Sequence, residues 1–220
     1  ARFLSKEVDL VTPNGFEDTI VPDSAVFAEY SAAARKKLVD VAEAMTGEKF
    51  ENPLLVGIGG RYEYKNKGID VFVDSLAKIE HSESGDRTIL AFILVPAGIN
   101  GYDKELVAKL GGKESGYTTH TSHNLQYPEN DPVLCRMGAL GMSNHSSKRV
   151  KILFVPSYLN GNDGVFNMPY YQLLSGLDLS AFPSYYEPWG YTPLESLAFG
   201  VPTITTTLAG FGLWENEYYT

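Results

Sequence analysis

Short apolar runs alternate with segments of helical period along most of the 220 residues, and this alternation limits the chain to few folds. Strands buried on both faces read as continuous apolar runs, and parallel neighbours need helical crossovers between them. Five such runs stand out: LLVGI (54–58), ILAFILVP (89–96), KILFVP (151–156), LSAFPS (179–184) and PTITT (202–206). Between them, KGIDVFVDSLAKI (67–79) places Ile69, Phe72, Val73, Leu76 and Ile79 on one helical face. Further helices are expected at 102–110, 169–176 and 193–199. The first fifty residues carry an expected strand, DLVT (9–12), and an amphipathic helix around 26–46. The stretch 111–135, rich in Gly, Thr, His, Asn and Pro, reads as irregular, an insertion or a hairpin. The expectation is an α/β fold: one Rossmann-like three-layer domain with a parallel sheet, spanning 1–220. Ligands of such sheets bind beyond the carboxyl ends of the strands, where strand order reverses.

Composition narrows the class of ligand. The net charge of −9 argues against nucleic acid, which requires a positive surface. No apolar run approaches the roughly 20 residues of a membrane span, so no membrane partner is expected. A lone cysteine, Cys135, allows no intrachain disulfide, and ARFLSKEVDL lacks the apolar stretch of a signal peptide; a cytoplasmic protein is expected. From Ile152 to Thr220 there is no Lys or Arg, while the segment holds fifteen of the twenty-seven aromatic residues. Aromatic platforms with carboxylates and few cations suit sugars and nucleobases; a Tyr-rich core would read the same way.

Two loops at strand ends carry candidate chemistry. Gly59-Gly60-Arg61 follows the first strong strand, and Arg61 and Lys67 would project above the sheet edge to neutralise a diphosphate, or be ordinary surface charges. Their glycine spacing is not the dinucleotide fingerprint. The second loop, Ser184 to Pro202, contains Thr192-Pro193-Leu194-Glu195, which reads as a helix start with Thr192 as N-cap. The N–H groups of Gly190, Tyr191 and Thr192 at that start would favour an anion. Glu195 either completes the capping box or accepts hydrogen bonds from ribose hydroxyls. Glu187, among Tyr185, Tyr186, Pro188 and Trp189, has no capping duty and suits sugar hydroxyls or positive charge developing at an anomeric carbon. His120 and His123 share an irregular segment without partner ligands, so loop structure is expected of them and no metal.

With those residues in place, GRYEYKNKGIDVF (60–72) and FPSYYEPWGYTPLESLAFGVPTITTTLAGFG (182–212) resemble two signature blocks of the fungal and animal glycogen synthases. TTHTSHNLQYPENDPVL (118–134) and KILFVPSYLNGNDGVFNMPYYQLL (151–174) resemble that family more loosely. The resemblance implies the C-terminal, donor-binding half of a two-Rossmann-domain glycosyltransferase, with the N-terminal domain outside this chain. It implies transfer of glucose from UDP-glucose to the non-reducing end of an α-1,4-glucan with retention, using neither metal nor cofactor, UDP-glucose being a substrate. It also places Arg61 and Lys67 at the donor diphosphate, Glu187 at the transferred glucose and Glu195 at the ribose. Tyr170 would lie against the base, and Trp189, Gly190, Tyr191 and Thr192 would line the phosphate and sugar pocket. An arginine-rich activator-binding helix is missing from the pattern, and VPSYL (155–159) departs from it. The alternatives are a non-catalytic glucan- or nucleotide-binding module, or a related transferase using ADP-glucose or another acceptor.

Overall fold

The computed structural model describes residues 5–7, 9, 12–82 and 85–218. In chain order these form α1 (Ser24–Thr46), β1 (Leu54–Gly59), α2 (Ile69–Glu80), β2 (Ile89–Leu94), β3 (Ile99–Tyr102), α3 (Lys104–Leu110) and β4 (His123–Leu125). They continue with α4 (Pro132–Ala139), β5 (Val150–Val155), α5 (Tyr170–Ser175), β6 (Leu179–Phe182), α6 (Tyr191–Ala198), β7 (Thr203–Thr205) and α7 (Gly210–Tyr218). The α/β expectation holds. The five apolar runs make one parallel sheet in the order β5-β2-β1-β6-β7, with α1 and the later helices distributed over its two faces.

Period-two alternation along buried strands explains the three layers. Leu55, Leu90 and Leu153 point into a cluster with Leu38, Val41 and Met45 of α1 and Leu173 of α5. Their neighbours Val56, Ala91 and Ile152 point into a second cluster with Ile69, Val73 and Leu76 of α2 and Met137 of α4. Both faces are therefore apolar, as continuous runs require. Lys151 is a charged exception, a fully buried cation within β5 whose Nζ lies 2.7 Å from Glu48 Oε1 and donates to the His145 carbonyl.

Strand order reverses between β1 and β6. β1 pairs with β2 along its whole length, from Leu54↔Ile89 to Gly59↔Leu94, but with β6 only at Val56↔Leu179 and Gly57↔Ser180. The carboxyl ends of β1 and β6 are thus free of mutual ladder bonds, which leaves a crevice where the topology predicts one.

Some expectations were incomplete. The stretch 111–135 is not irregular throughout: β4 pairs antiparallel with β3, and α4 starts at Pro132. That start is conventional, because Asp131 accepts from the Val133 and Leu134 amides and Pro132 occupies the first turn. The helix read at 102–110 begins at Lys104 instead, residues 99–102 being β3. α7 had no counterpart in the reading of the sequence. The strand expected at 9–12 falls on residues 10 and 11, outside the described residues, and Asp9 and Thr12 belong to no strand.

Gly68 joins the crevice to the fold. It adopts φ +69° as N-cap of α2, and a Cβ there would lie 2.0 Å from the Pro183 carbonyl oxygen. Gly68→Ala is expected to destabilise the chain by at least about 1–3 kcal/mol, the range for a non-glycine residue held in the left-handed region, with the overlap adding to it. Urea unfolding measures this, with Gly116→Ala as the near-neutral control, since a Cβ at Gly116 meets nothing within 4 Å.

Candidate nucleotide-sugar site

Two loops rise from the crevice, one after β1 and one after β6. The first folds on itself: the Lys67 amide donates to the Glu63 carbonyl (2.9 Å), the Ile69 amide to the Tyr64 carbonyl (3.1 Å), and Asn66 Nδ2 to Glu63 Oε2 (2.9 Å). The second is anchored on the start of α7, where the Gly210 amide donates to the Glu187 carbonyl (3.1 Å) and the Phe211 amide to the Trp189 carbonyl (2.7 Å). A Cβ on Gly210 would sit 2.3 Å from the Pro188 carbonyl oxygen, so only glycine permits this approach. The Tyr185 amide donates to the Asn66 carbonyl (2.9 Å), and Lys67 Nζ forms an ion pair with Glu187 Oε1, so the loops are joined twice.

Between the loops lies a cleft of about 420 Å³ that brings together Gly60, Arg61, Lys67, Glu187, Trp189, Gly190, Tyr191, Thr192 and Glu195. A neighbouring, more apolar compartment of about 340 Å³ shares Gly60, Arg61, Thr192 and Glu195 and adds Leu94, Pro96, Tyr158 and Tyr170. All nine residues singled out from sequence therefore line one of two contiguous spaces. A larger cleft, about 570 Å³, lies elsewhere, between the end of α1 and the turn after α3. Its mixed surface charges, among them Lys37, Asp40, Glu43 and Lys113, converge on no common chemistry, and volume alone does not rank it above the crevice.

The positive groups sit on different footings. Lys67 and Glu187 have side chains only 12% and 10% exposed, so their pairing is a constraint on the cleft floor. Arg61 is 74% exposed, its guanidinium paired with Glu63 at 3.0 Å at the rim. α6 begins at Tyr191 with Gly190 as N-cap at φ 91°, and no side chain caps it. The amides of Tyr191 and Thr192 stand in the first turn, where helix geometry supplies no acceptor, at the cleft wall.

The capping reading of this segment is overturned. Thr192 lies inside the first turn, two positions past the Gly190 N-cap, and Glu195 accepts a 2.9 Å hydrogen bond from the Tyr171 hydroxyl instead of bonding the backbone. Burial raises the Glu195 carboxyl above the usual carboxylate range, and the Tyr171 bond partly opposes it by favouring the charged form. Tyr170 presents its ring to the apolar compartment while its hydroxyl is buried beside Gly59, where a Cβ would come within 2.5 Å of it. Burial pushes that hydroxyl's ionisation upward. Tyr171 was missed from sequence; its one signal was its place beside Tyr170, which does not say where either ring points. Trp189 packs edge-on against Phe211, which secures the loop to α7.

Of His120 and His123, only His120 lies outside the regular elements; His123 opens β4, opposite Tyr102, so the loop expectation fails for it. His123 is buried, with Nδ1 against Ser122 Oγ (2.8 Å) and Nε2 against the Asp163 carbonyl (2.9 Å). Among the described residues no group of three or more His, Cys, Asp or Glu is placed to hold a metal ion. No helix among them is long and apolar enough to cross a membrane.

Because the Lys67–Glu187 pair is largely buried, removing one partner should cost more than removing both charges. Lys67→Ala is expected to destabilise the chain by about 3 kcal/mol, and Lys67→Met combined with Glu187→Gln by much less. Urea unfolding of the two variants tests the difference; equal losses would show that the pair does not brace the loops.

Comparison with known proteins then places the chain. A profile of the family described as glycogen synthase matches residues 1–113 and 110–220. Glycogen [starch] synthase isoform 1 of Saccharomyces cerevisiae is 30% identical over 98% of this chain and 40% of its own length. The liver glycogen [starch] synthase of Homo sapiens is 29% identical over 99% of this chain and 39% of its own. The chain thus spans about two fifths of the curated relatives it matches. Among solved structures, a sucrose-phosphate synthase from Thermosynechococcus elongatus is 19% identical, covers 91% of this chain and 35% of its own, and has a TM-score of 0.46. A likeness that weak leaves the assignment to the sequence matches, which cover both halves of the chain: it belongs to the glycogen synthase family.

Proposed function

We propose that this chain is the donor-binding part of a retaining glucosyltransferase, taking UDP-glucose and, together with an N-terminal domain outside the chain, an α-1,4-glucan acceptor. One observation carries the reading: a single cleft gathers Arg61, Lys67, the uncapped start of α6 and two carboxylates at the sheet's topological switch.

Each group has a task that follows from its placement. The diphosphate is the charge-bearing and leaving part of the donor. Arg61 can grip two of its oxygens through a planar fork, Lys67 adds a point charge, and the Tyr191 and Thr192 amides donate from the helix start. Charge growing on the departing diphosphate is stabilised by these prearranged donors. As the diphosphate enters, it competes with Glu187 for Lys67, so the loop pair loosens and Glu187 becomes available to the sugar. There a carboxylate stabilises positive charge developing at the anomeric carbon. Glu195, raised on α6 between the two compartments, accepts from ribose hydroxyls, and the Tyr170 ring forms the surface for the base. With cations and amides from the chain meeting the diphosphate, the proposal includes no metal and no further cofactor.

A cleft with one wall neither orients an acceptor nor excludes water. The isolated chain is therefore expected to bind UDP but to transfer no glucose from UDP-glucose to maltodextrin above the blank rate. Calorimetric titration with UDP tests the site. Arg61→Ala should weaken binding on the order of tenfold to a hundredfold, as expected for loss of a charged hydrogen-bond pair. Absence of heat at millimolar UDP, with the fold intact by circular dichroism, would refute the assignment.

A further inference from the structure

We infer that Tyr171 is a positioning residue for nucleotide recognition, its hydroxyl holding one oxygen of Glu195 so that the other is presented to the donor ribose. The inference deepens the proposed donor site and rests on it.

The Tyr171 hydroxyl donates to Glu195 Oε1 at 2.9 Å, the one hydrogen bond to that carboxylate among the described residues. A glutamate side chain on a short helix otherwise samples several rotamers, and fixing it at the moment of binding weakens affinity. Tyr171 is itself held on two sides. Its ring stacks on Phe199 at 5.4 Å and 4°, and Phe199 is only 1% exposed. It also meets Tyr170 edge-on at 5.5 Å. Adjacent residues of α5 thus supply the platform for the base and the brace for the ribose acceptor, so the spacing between the two is set by a single peptide unit. Phe199 closes the loop by lying at the end of the helix that carries Glu195.

The brace also controls protonation. A donor to the carboxylate favours its charged form, which is the form that accepts from two hydroxyls at once. Tyr171 keeps its own proton throughout the working range, because burial and the Glu195 carboxylate push its ionisation up to about 12. The other titratable groups lining the two compartments with Glu195 are Tyr170 from α5, Tyr158 from the segment after β5, Arg61 and Lys67 from the loop after β1, and Glu187 and Tyr191 from the loop and helix after β6. None of them hydrogen-bonds it among the described residues. Removing the Tyr171 hydroxyl therefore raises the pH below which Glu195 is protonated. UDP binding, lost as pH falls through that point, is then lost at higher pH.

The test is calorimetric UDP binding to the chain across pH for wild type, Tyr171→Phe, Glu195→Gln and the double variant. Phenylalanine keeps the ring on Phe199, and near-ultraviolet circular dichroism verifies the packing. The phosphate ionisation of UDP is common to all four and cancels in the comparison. Tyr171→Phe is expected to bind roughly threefold to tenfold more weakly, with its acid limb displaced upward. Glu195→Gln should lose that limb, and the double variant should bind no worse than Glu195→Gln. A Tyr171→Phe chain with unchanged affinity and pH profile overturns the inference while leaving the donor site standing. Equal weakening in the Glu195→Gln background also overturns it, since the hydroxyl would then act other than through Glu195. If wild type fails to bind UDP, the donor site itself is wrong and the brace falls with it.

Discussion

The structure depends most on what happens where β1 and β6 part. Two strands of a parallel sheet that share only two register pairs leave their carboxyl ends to diverge, and the chain must bridge that gap by other means. It does so with one backbone hydrogen bond between Tyr185 and Asn66 and one ion pair between Lys67 and Glu187. The same ion pair holds the cleft's buried cation against a carboxylate, so the bridge that closes the fold and the charges available to a ligand are one object. In the proposed donor complex a diphosphate takes Lys67 from Glu187, and the freed carboxylate is left to face the sugar's developing positive charge.

Rigidity around the cleft comes from close backbone approaches more than from large side chains. Gly68 lies against Pro183 and Gly210 against Pro188, each at a distance that excludes a Cβ. The loop after β1 is thereby pressed against the end of β6, and the loop after β6 against the start of α7. The aromatic residues of the cation-free half complete the frame: Trp189 on Phe211, and Tyr171 on Phe199. Sequence composition left open whether those rings make a core or a binding surface. They divide the work, with Phe199 and Phe211 buried, Tyr170 facing a compartment, and Tyr158, Tyr185 and Tyr186 exposed.

The parts of the fold legible in the sequence were those where one periodicity dominates. β1, β2 and β5 are uninterrupted apolar runs, and α2 has a clean apolar face, so both their kind and their place were readable. β6 and β7 are shorter and end earlier than their runs suggest, because Pro183 and Thr206 belong to the turns that carry the site. α4 went unread although Asp131-Pro132 is a strong start signal, since the surrounding Gly, Asn and Pro drew the stretch toward loop. α7 begins at a glycine selected for its approach to Pro188, a long-range requirement that no local pattern expresses. At the site, side chains carried on strand-end loops were readable because topology sends them to one edge. Glu195 was read with two competing roles, cap and ribose acceptor; the cap is excluded by its bond to Tyr171, a partner twenty-four residues earlier that local spacing does not reveal.

The central claim is that the loop after β1 and the loop leading into α6 bind one anion together. Amide chemical-shift mapping of the isotope-labelled chain on titration with UDP addresses it directly. The account predicts concerted, saturable shifts at Gly60, Arg61 and Lys67 and at Gly190, Tyr191 and Thr192, with a common dissociation constant. Shifts confined to one loop, or centred on the larger cleft between α1 and the turn after α3, would contradict it.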